Sequence, residues 1–481
     1  MIRAIRRLGW VFGILAILLV INLTFQQFIL APKINAQPGN QRTVLAEYER
    51  ERGPILVGTK PVARSVATPK QTFKFLRTYS DGVLYAPATG FYSSLYGSTG
   101  LERTENQILS GNDPRLFVDR IEQLIAGRVP EGGAVQTTLL ASAQKAAAAG
   151  LGDTVGSVTA IDPKTGAILA LVQSPSFDPN GLSTHDAAAA QDYYEQLEAD
   201  PDKPLLNRPL VQTIPPGSTF KLVTAAAALE AGYEPNSSVP GPALYPLPGS
   251  TKSLPNWFRG PCGPNDQTTL AEALAVSCNT AFAYLGNELG ADALRTQANK
   301  FGFESSFDVP MTAATSRFPE DPDDAQTAMS AIGQFDVAST SLQMAMVTAS
   351  IANQGVTMYP YLVNQVLAPD LTVLSQTQPQ EFERAMSEQN AGKLMGMMVQ
   401  VVSSGTGSNA RIPGVSVGGK TGTAETGAGR PNIAWFVAAA PAENPQVAVA
   451  VAVENTGQPE VSGNTVAAPI ARAVIEAVLQ R

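Results

Sequence analysis

From Leu8 to Pro32 the chain carries no charge, and Leu8–Leu23 within that run is almost wholly apolar. A run of this kind is at the short end for a membrane span and slightly long for a signal-peptide core. Arg3, Arg6 and Arg7 stand just before it, and no clear small-x-small cleavage site follows. The reading adopted is a retained single-pass anchor, with the arginines inside and everything after Lys33 outside the cytoplasm. A cleaved signal peptide is the alternative. Residues 1–32 are then cytoplasmic tip and anchor, and Ala36–Gln41 reads as a short linker. Everything beyond must fold as an exported protein.

The chain has 481 residues, enough for several domains. Residues 33–150 form a first region of mixed character. Within it, Arg52–Ser65 has a turn-flanked apolar core that predicts short strands, and Thr89–Asn106 passes from Gly, Ser and Tyr to a charged helical pattern. Nothing there supplies a catalytic set, so this region reads as a scaffold or docking domain. From Val155 the pattern changes. VGSVTAI and GAILALVQS are strand-like runs joined by Asp162-Pro163-Lys164-Thr165, which predicts a β-hairpin. Residues 181–400 are mostly helical in pattern, broken by Pro/Gly loops. Val415–Thr423, Ile433–Ala440 and Val447–Glu454 follow as strands, with turns at Thr426–Pro431 and Pro441–Pro445, and a helix over Val466–Leu479 ends the pattern. Strands at both ends of residues 151–481 with helices between predict one sheet completed by the two ends, an α+β fold.

Composition narrows the chemistry. The net charge is −8 and no Lys/Arg block appears, which argues against a nucleic-acid binder. His185 is the only histidine, and it lies in a polar, alanine-rich segment. A Ser-His-Asp triad would need His185 itself, and a histidine-ligated zinc site usually needs more than one. No metal or cofactor is expected. For a hydrolase or acyltransferase, lysine becomes the leading candidate for the base.

Pro215–Leu229, PPGSTFKLVTAAAAL, offers one. Pro216 and Gly217 stop the preceding segment, Ser218 is a favoured residue at or beside a helix start, and the alanines beyond are helix formers. Residues three apart share a helix face, so the Ser218 hydroxyl and Lys221 amine can converge. An ordinary capped helix with a solvated lysine fits the same residues. Against it, a lysine in the first turn opposes the helix dipole, and that field pushes the amine toward its neutral, proton-accepting form. Two further motifs follow in order: Ser277-Cys278-Asn279, then Lys420-Thr421-Gly422. Each is weak alone. Together, Ser-x-x-Lys, Ser-x-Asn and Lys-Thr-Gly form the signature of penicillin-binding proteins and active-site serine β-lactamases. Cys278 stands where that pattern has Asp.

Over nearly its whole length the chain resembles class B penicillin-binding proteins, and within them it looks most like the penicillin-binding protein A branch of actinobacteria. LAEYERERGPIL, YAPATGFYSSLYGSTGLE, AIDPKTGAILALVQSPSFDPN, NRPLVQTIPPGSTFK, SCNTAFAYLG, TSLQMAMV and GGKTGTAET with AWFVAAAP carry the resemblance. It implies a bitopic membrane protein with a pedestal or dimerisation-type domain at 33–150. The transpeptidase domain at 151–481 would be β-lactamase-like, an antiparallel five-stranded sheet flanked by helices. The implied activity is D,D-transpeptidation of peptidoglycan stem peptides on lipid II-derived strands outside the cell, inhibited covalently by β-lactams. Ser218 would be the nucleophile, Lys221 its proton acceptor, Ser277 the relay to the leaving amine and Asn279 the residue that holds Lys221 and the substrate amide. Lys420 and Thr421 would bind the substrate carboxylate, Gly422 would let the strand approach, and the N–H groups of Ser218 and Thr423 would form the oxyanion hole. Class B proteins lack a glycosyltransferase domain, so the resemblance also implies a membrane glycosyltransferase partner of the SEDS type.

Cys262 and Cys278 are the only cysteines. Outside the cytoplasm an even pair is often a disulfide, and here it would staple the PNWFRGPCGPND loop to the Ser-x-Asn motif. Two free thiols are the alternative. Among competing activities, a β-lactamase is usually shorter and lacks the anchor and pedestal. A D,D-carboxypeptidase would use water as acceptor. A β-lactam sensor needs an intracellular output domain larger than the few residues before the anchor.

Overall fold

A computed structural model describes residues 2–30, 48–69, 73–127, 129–424, 432–455 and 462–480. The expected linker at Ala36–Gln41 and the turn at Thr426–Pro431 lie outside these residues. Residues 8–30 of the uncharged run lie in a helix, Ile2–Thr24, that starts at the arginines and continues into one wider helical turn at Phe25–Leu30. Its apolar side chains, Trp10, Phe12, Leu15 and Leu19 among them, are exposed rather than packed on the rest of the protein. The stretch Ile5–Gln27 is 23 residues long. At ~1.5 Å per residue this is enough to cross the ~30 Å hydrocarbon core.

The first region builds a six-stranded sheet in the order Val373–Gln376, Val363–Leu367, Ala134–Thr137, Ile55–Val57, Lys60–Ala67, Phe75–Tyr79. The expected strands in Arg52–Ser65 are there. Two of the six strands come from much later in the chain, where Val363–Leu367 pairs antiparallel with Ala134–Thr137. Behind the sheet, Arg52 and Arg77 both close on Glu102, with Nε–Oε distances of 2.6 and 2.7 Å. All three side chains are essentially buried.

The second sheet has five antiparallel strands in the order Gly418–Ala424, Ile433–Ala440, Val447–Asn455, Val155–Ile161, Ile168–Ser174. The hairpin and the C-terminal strands thus meet as expected, Val451 opposite Val158 at the junction. The strand VAVAVAV shows why it can be central. Its period of two puts Val447, Val449, Val451 and Val453 on one face, packed with Ile470, Val474 and Val478 of the terminal helix Ala468–Leu479. Ala448, Ala450 and Ala452 line the other face. Those small side chains let the helix Ser341–Ala352, buried along nearly its whole length, lie close against the sheet. Ser341 Oγ anchors it, 3.1 Å from Ser157 Oγ and 2.9 Å from Thr159 Oγ1. The middle of the chain is largely helical, as expected, but Ser238–Thr269 also contributes two small antiparallel ribbons: Ser238–Pro240 with Gln267–Thr269, and Leu244–Pro246 with Ser253–Pro255.

Candidate active site

Ser218 sits in a single 3-10 turn, Gly217–Thr219, directly before the helix Lys221–Glu230. The N-cap is Phe220 and it makes no side-chain cap bond, so Ser218 stands beside the helix start rather than capping it. Residues Lys221 through Leu229 are all buried. A helix that is apolar all round belongs in a core, and Lys221 is carried into the core with it. The turn is clamped from several sides. Trp435 Nε1 donates to the Pro215 carbonyl at 2.9 Å, and the Gly217 N–H donates to the Gly333 carbonyl at 2.9 Å. Gly422 passes so near that a Cβ there would lie 3.0 Å from the Pro216 carbonyl oxygen. Only a glycine permits this approach of the Lys-Thr-Gly strand to the serine turn.

Ser277 occupies a left-handed turn, φ 58°, between the helices Leu270–Ala275 and Asn279–Leu289. Lys221 Nζ donates to the Ser277 carbonyl at 2.9 Å and to Asn279 Oδ1 at 2.7 Å, and lies 3.3 Å from Ser277 Oγ. From the opposite side Lys420 Nζ donates to Ser277 Oγ at 2.8 Å and to the Thr421 carbonyl at 2.9 Å. The Ser277 hydroxyl therefore bridges two lysines. Both are 0% exposed, and among the described residues neither has a carboxylate partner.

Burial holds the Lys221 pKa well below the usual lysine range, and the neighbouring Lys420 adds to this. Burial alone lowers Lys420 to about 7. A neutral Lys221 has two N–H bonds and one lone pair. The Ser277 carbonyl and Asn279 Oδ1 can only accept, so they take both N–H bonds. The lone pair is left able to receive a proton, either from the Ser218 hydroxyl or through Ser277 Oγ, whose own hydrogen is free because it accepts from Lys420.

Ser218, Ser277, Asn279, Thr421, Gly422 and Thr423 line one cleft of about 800 Å³. Lys221 and Lys420 lie behind its surface. Cys262 and Cys278 are joined, which ties the loop ahead of the Ser-x-Asn turn to that turn. His185 takes no part: it lies 3.1 Å from the Phe75 carbonyl and packs against Tyr48 and Phe73. Among the described residues no group of His, Cys, Asp and Glu is arranged to hold a metal ion.

A family model described as "Penicillin binding protein transpeptidase domain" matches residues 156–476. The chain belongs to this family. A second model, "Penicillin binding protein A dimerisation domain", matches residues 52–135. Similar transpeptidase-family proteins include the peptidoglycan D,D-transpeptidases PbpA of Mycolicibacterium smegmatis and of Mycobacterium tuberculosis H37Rv. Each is 45% identical over 99% of both chains. A solved structure of penicillin-binding protein A from M. tuberculosis, a ceftriaxone acyl-enzyme complex, is 46% identical. It covers 91% of this chain and 100% of its own, with a TM-score of 0.88. The corresponding imipenem complex gives 0.87 at 46% identity, covering 91% of this chain and 100% of its own.

Several residues that shape this transpeptidase-family site escape a reading of the sequence. Asn256 is fully buried; its Oδ1 accepts from the N–H groups of Asn279 (2.9 Å) and Thr280 (3.1 Å), while Nδ2 donates to the carbonyls of Pro242 (3.0 Å) and Gly260 (2.9 Å). It is the clamp that sets the Ser-x-Asn turn. Thr406 Oγ1 lies 2.8 Å from Thr421 Oγ1 and orients that hydroxyl. Gly333, φ 72°, receives the Gly217 N–H, and a Cβ there would lie 2.1 Å from the Gly217 carbonyl oxygen. None of these belongs to a motif. The PNWF context of Asn256 was the only signal, an asparagine among aromatic and proline residues close to a cysteine.

Proposed function

We propose that this chain is a peptidoglycan D,D-transpeptidase that cross-links stem peptides through an acyl-enzyme on Ser218, in cell-wall growth or division. The observation that carries the reading is one cleft lined by Ser218, Ser277, Asn279 and Thr421, with two buried lysines, without a carboxylate partner among the described residues, meeting on the Ser277 hydroxyl.

Ser218 Oγ attacks the carbonyl of the penultimate D-alanine and its proton passes to Lys221. The C–N bond then breaks, and the terminal D-alanine leaves with a proton relayed through Ser277. The amine of a second stem peptide attacks the ester, forms the new amide and returns the hydroxyl to Ser218. Lys420 and Thr421 receive the terminal carboxylate, which restores the charge that burial suppresses on Lys420. Asn279 orients Lys221 and the donor amide. The N–H groups of Ser218 and Thr423 stabilise the oxyanion, where one donor is typically worth about 3–4 kcal/mol. β-Lactams acylate Ser218 in place of the stem peptide; penicillin-binding protein A of M. tuberculosis forms acyl-enzyme complexes with ceftriaxone and imipenem.

The helix Ile2–Thr24 anchors residues 1–32 in the cell membrane, and residues 33–150 and 151–481 form the extracytoplasmic pedestal and transpeptidase domains. The Cys262–Cys278 bond supports an oxidising location. Glycan strands come from a membrane glycosyltransferase partner of the SEDS type. Labelling with a fluorescent penicillin, wild type against Ser218→Ala, tests the assignment. Stable label on the wild type alone is expected. Equal labelling of both would sink it, and rapid release of the label would point to a hydrolase.

A further inference from the structure

Among the described residues that line the cleft, Arg259 is the one that carries a charge. It is exposed, and its guanidinium makes no ion pair among the described residues. Its backbone is nevertheless held in the left-handed region, φ 59°, which few non-glycine residues adopt. What holds it there is visible. The Arg259 N–H donates to the Asn256 carbonyl at 3.0 Å, closing the turn, and Asn256 is the buried clamp of the Ser-x-Asn motif. Trp257 Nε1 donates to the Val276 carbonyl at 3.0 Å, and Cys262 bonds the same loop to Cys278. A mobile surface arginine needs none of this.

The cleft thus has cations on two different walls. Lys420 comes from the strand wall and serves the terminal carboxylate. Arg259 comes from the loop wall, which also holds Asn279, the residue assigned to the donor amide. We propose that Arg259 is an anion subsite that selects acyl donors carrying a second carboxylate, on the acyl side of the bond to be broken. A guanidinium suits this because its charge is fixed and its fork of donors matches a carboxylate. The inference rests on the transpeptidase reading and adds a substrate preference to it.

The probes are benzylpenicillin and carbenicillin, which differ by one carboxylate on the acyl side chain. The readout is the ratio of their second-order acylation constants, carbenicillin over benzylpenicillin, so that a general loss of activity cancels. In the full-length protein at low salt, Arg259→Ala lowers this ratio by about three- to fivefold, the range of an exposed charge pair. Arg259→Glu lowers it further, Arg259→Lys restores part of it, and added salt reduces the wild-type ratio. A ratio unchanged in Arg259→Ala, or raised in Arg259→Glu, overturns the subsite while leaving the acyl-enzyme reading intact. Failure of both penicillins to acylate the wild type would instead overturn the transpeptidase reading.

Discussion

Behind the N-terminal sheet two guanidiniums, Arg52 and Arg77, converge on the single carboxylate of Glu102, whereas at the cleft two lysine amines, Lys221 and Lys420, share a buried site with no acid among the described residues. Both clusters are almost fully withdrawn from water. In the first, burial pushes the Glu102 carboxyl up, but Arg77 and Arg52 outweigh it and the group ends below the ordinary carboxylate range. Arg52 Nη2 also donates to the Glu102 carbonyl at 2.6 Å, and Arg77 Nη1 donates to the Gly53 carbonyl at 2.8 Å. The carboxylate there is compensated, and the surplus positive charge is spread over two guanidiniums that also donate to backbone carbonyls. At the cleft no carboxylate among the described residues compensates, so Lys221 relieves its desolvation by giving up a proton, while Lys420 holds its proton only weakly. One cluster fixes a fold; the other holds free energy for chemistry.

Mutations that unbalance the two clusters should therefore act in opposite directions. Glu102→Ala leaves two guanidiniums buried without a counter-charge and is expected to destabilise the protein by about 3–5 kcal/mol. Denaturant unfolding would show this, with penicillin acylation retained by the folded fraction. A loss under 1 kcal/mol would mean that the arginines find water instead.

Lys420→Met removes a cation that the fold holds unpaired, and it should stabilise by about 1–3 kcal/mol at pH 6 while acylation collapses. The sign follows from linkage. Because the folded pKa of Lys420 is depressed to about 7 from an ordinary 10.5, its penalty is fully present below pH 7. The penalty fades as pH rises toward 10.5. The advantage of the Met variant must shrink over that window, and an advantage that grew with pH would contradict the depressed pKa.

The finest test is the pH profile of acylation in the free enzyme. Rates should fall on the acid side as Lys221 takes a proton. On the alkaline side they should fall by about tenfold per pH unit once Lys420 loses its charge above about 7. Lys420→Arg carries a charge that does not titrate there, so the alkaline limb should vanish even if the rate is lower throughout. Persistence of that limb in the arginine variant would assign it to another group.

These tests turn on burial, which separates what could be read from the sequence from what could not. The period-two alternation of VAVAVAV, the uncharged run from Leu8 to Pro32 and the alanine-rich helix after Lys221 are short-range patterns, and each was legible as the element it forms. So were the three motifs, because the chemistry demands those residue types within a few positions of one another. For a neutral first-turn lysine the sequence offers three causes together: the helix end, partial burial and the neighbouring Lys420. Burial is the leading cause, with Lys420 second.

What the sequence determined by itself was the elements written in short-range patterns and the candidate reacting groups, since both are encoded within a turn or a strand. The tertiary structure alone decided which strands pair and how dry each charge becomes. Val363–Leu367 completes the sheet begun at Ile55–Val57, Val447–Asn455 rather than another C-terminal strand is the one beside Val155–Ile161, and Asn256 sets the turn of Ser277. Each depends on partners far away in the chain, and desolvation is a property of everything packed around a group. No local pattern carries that information.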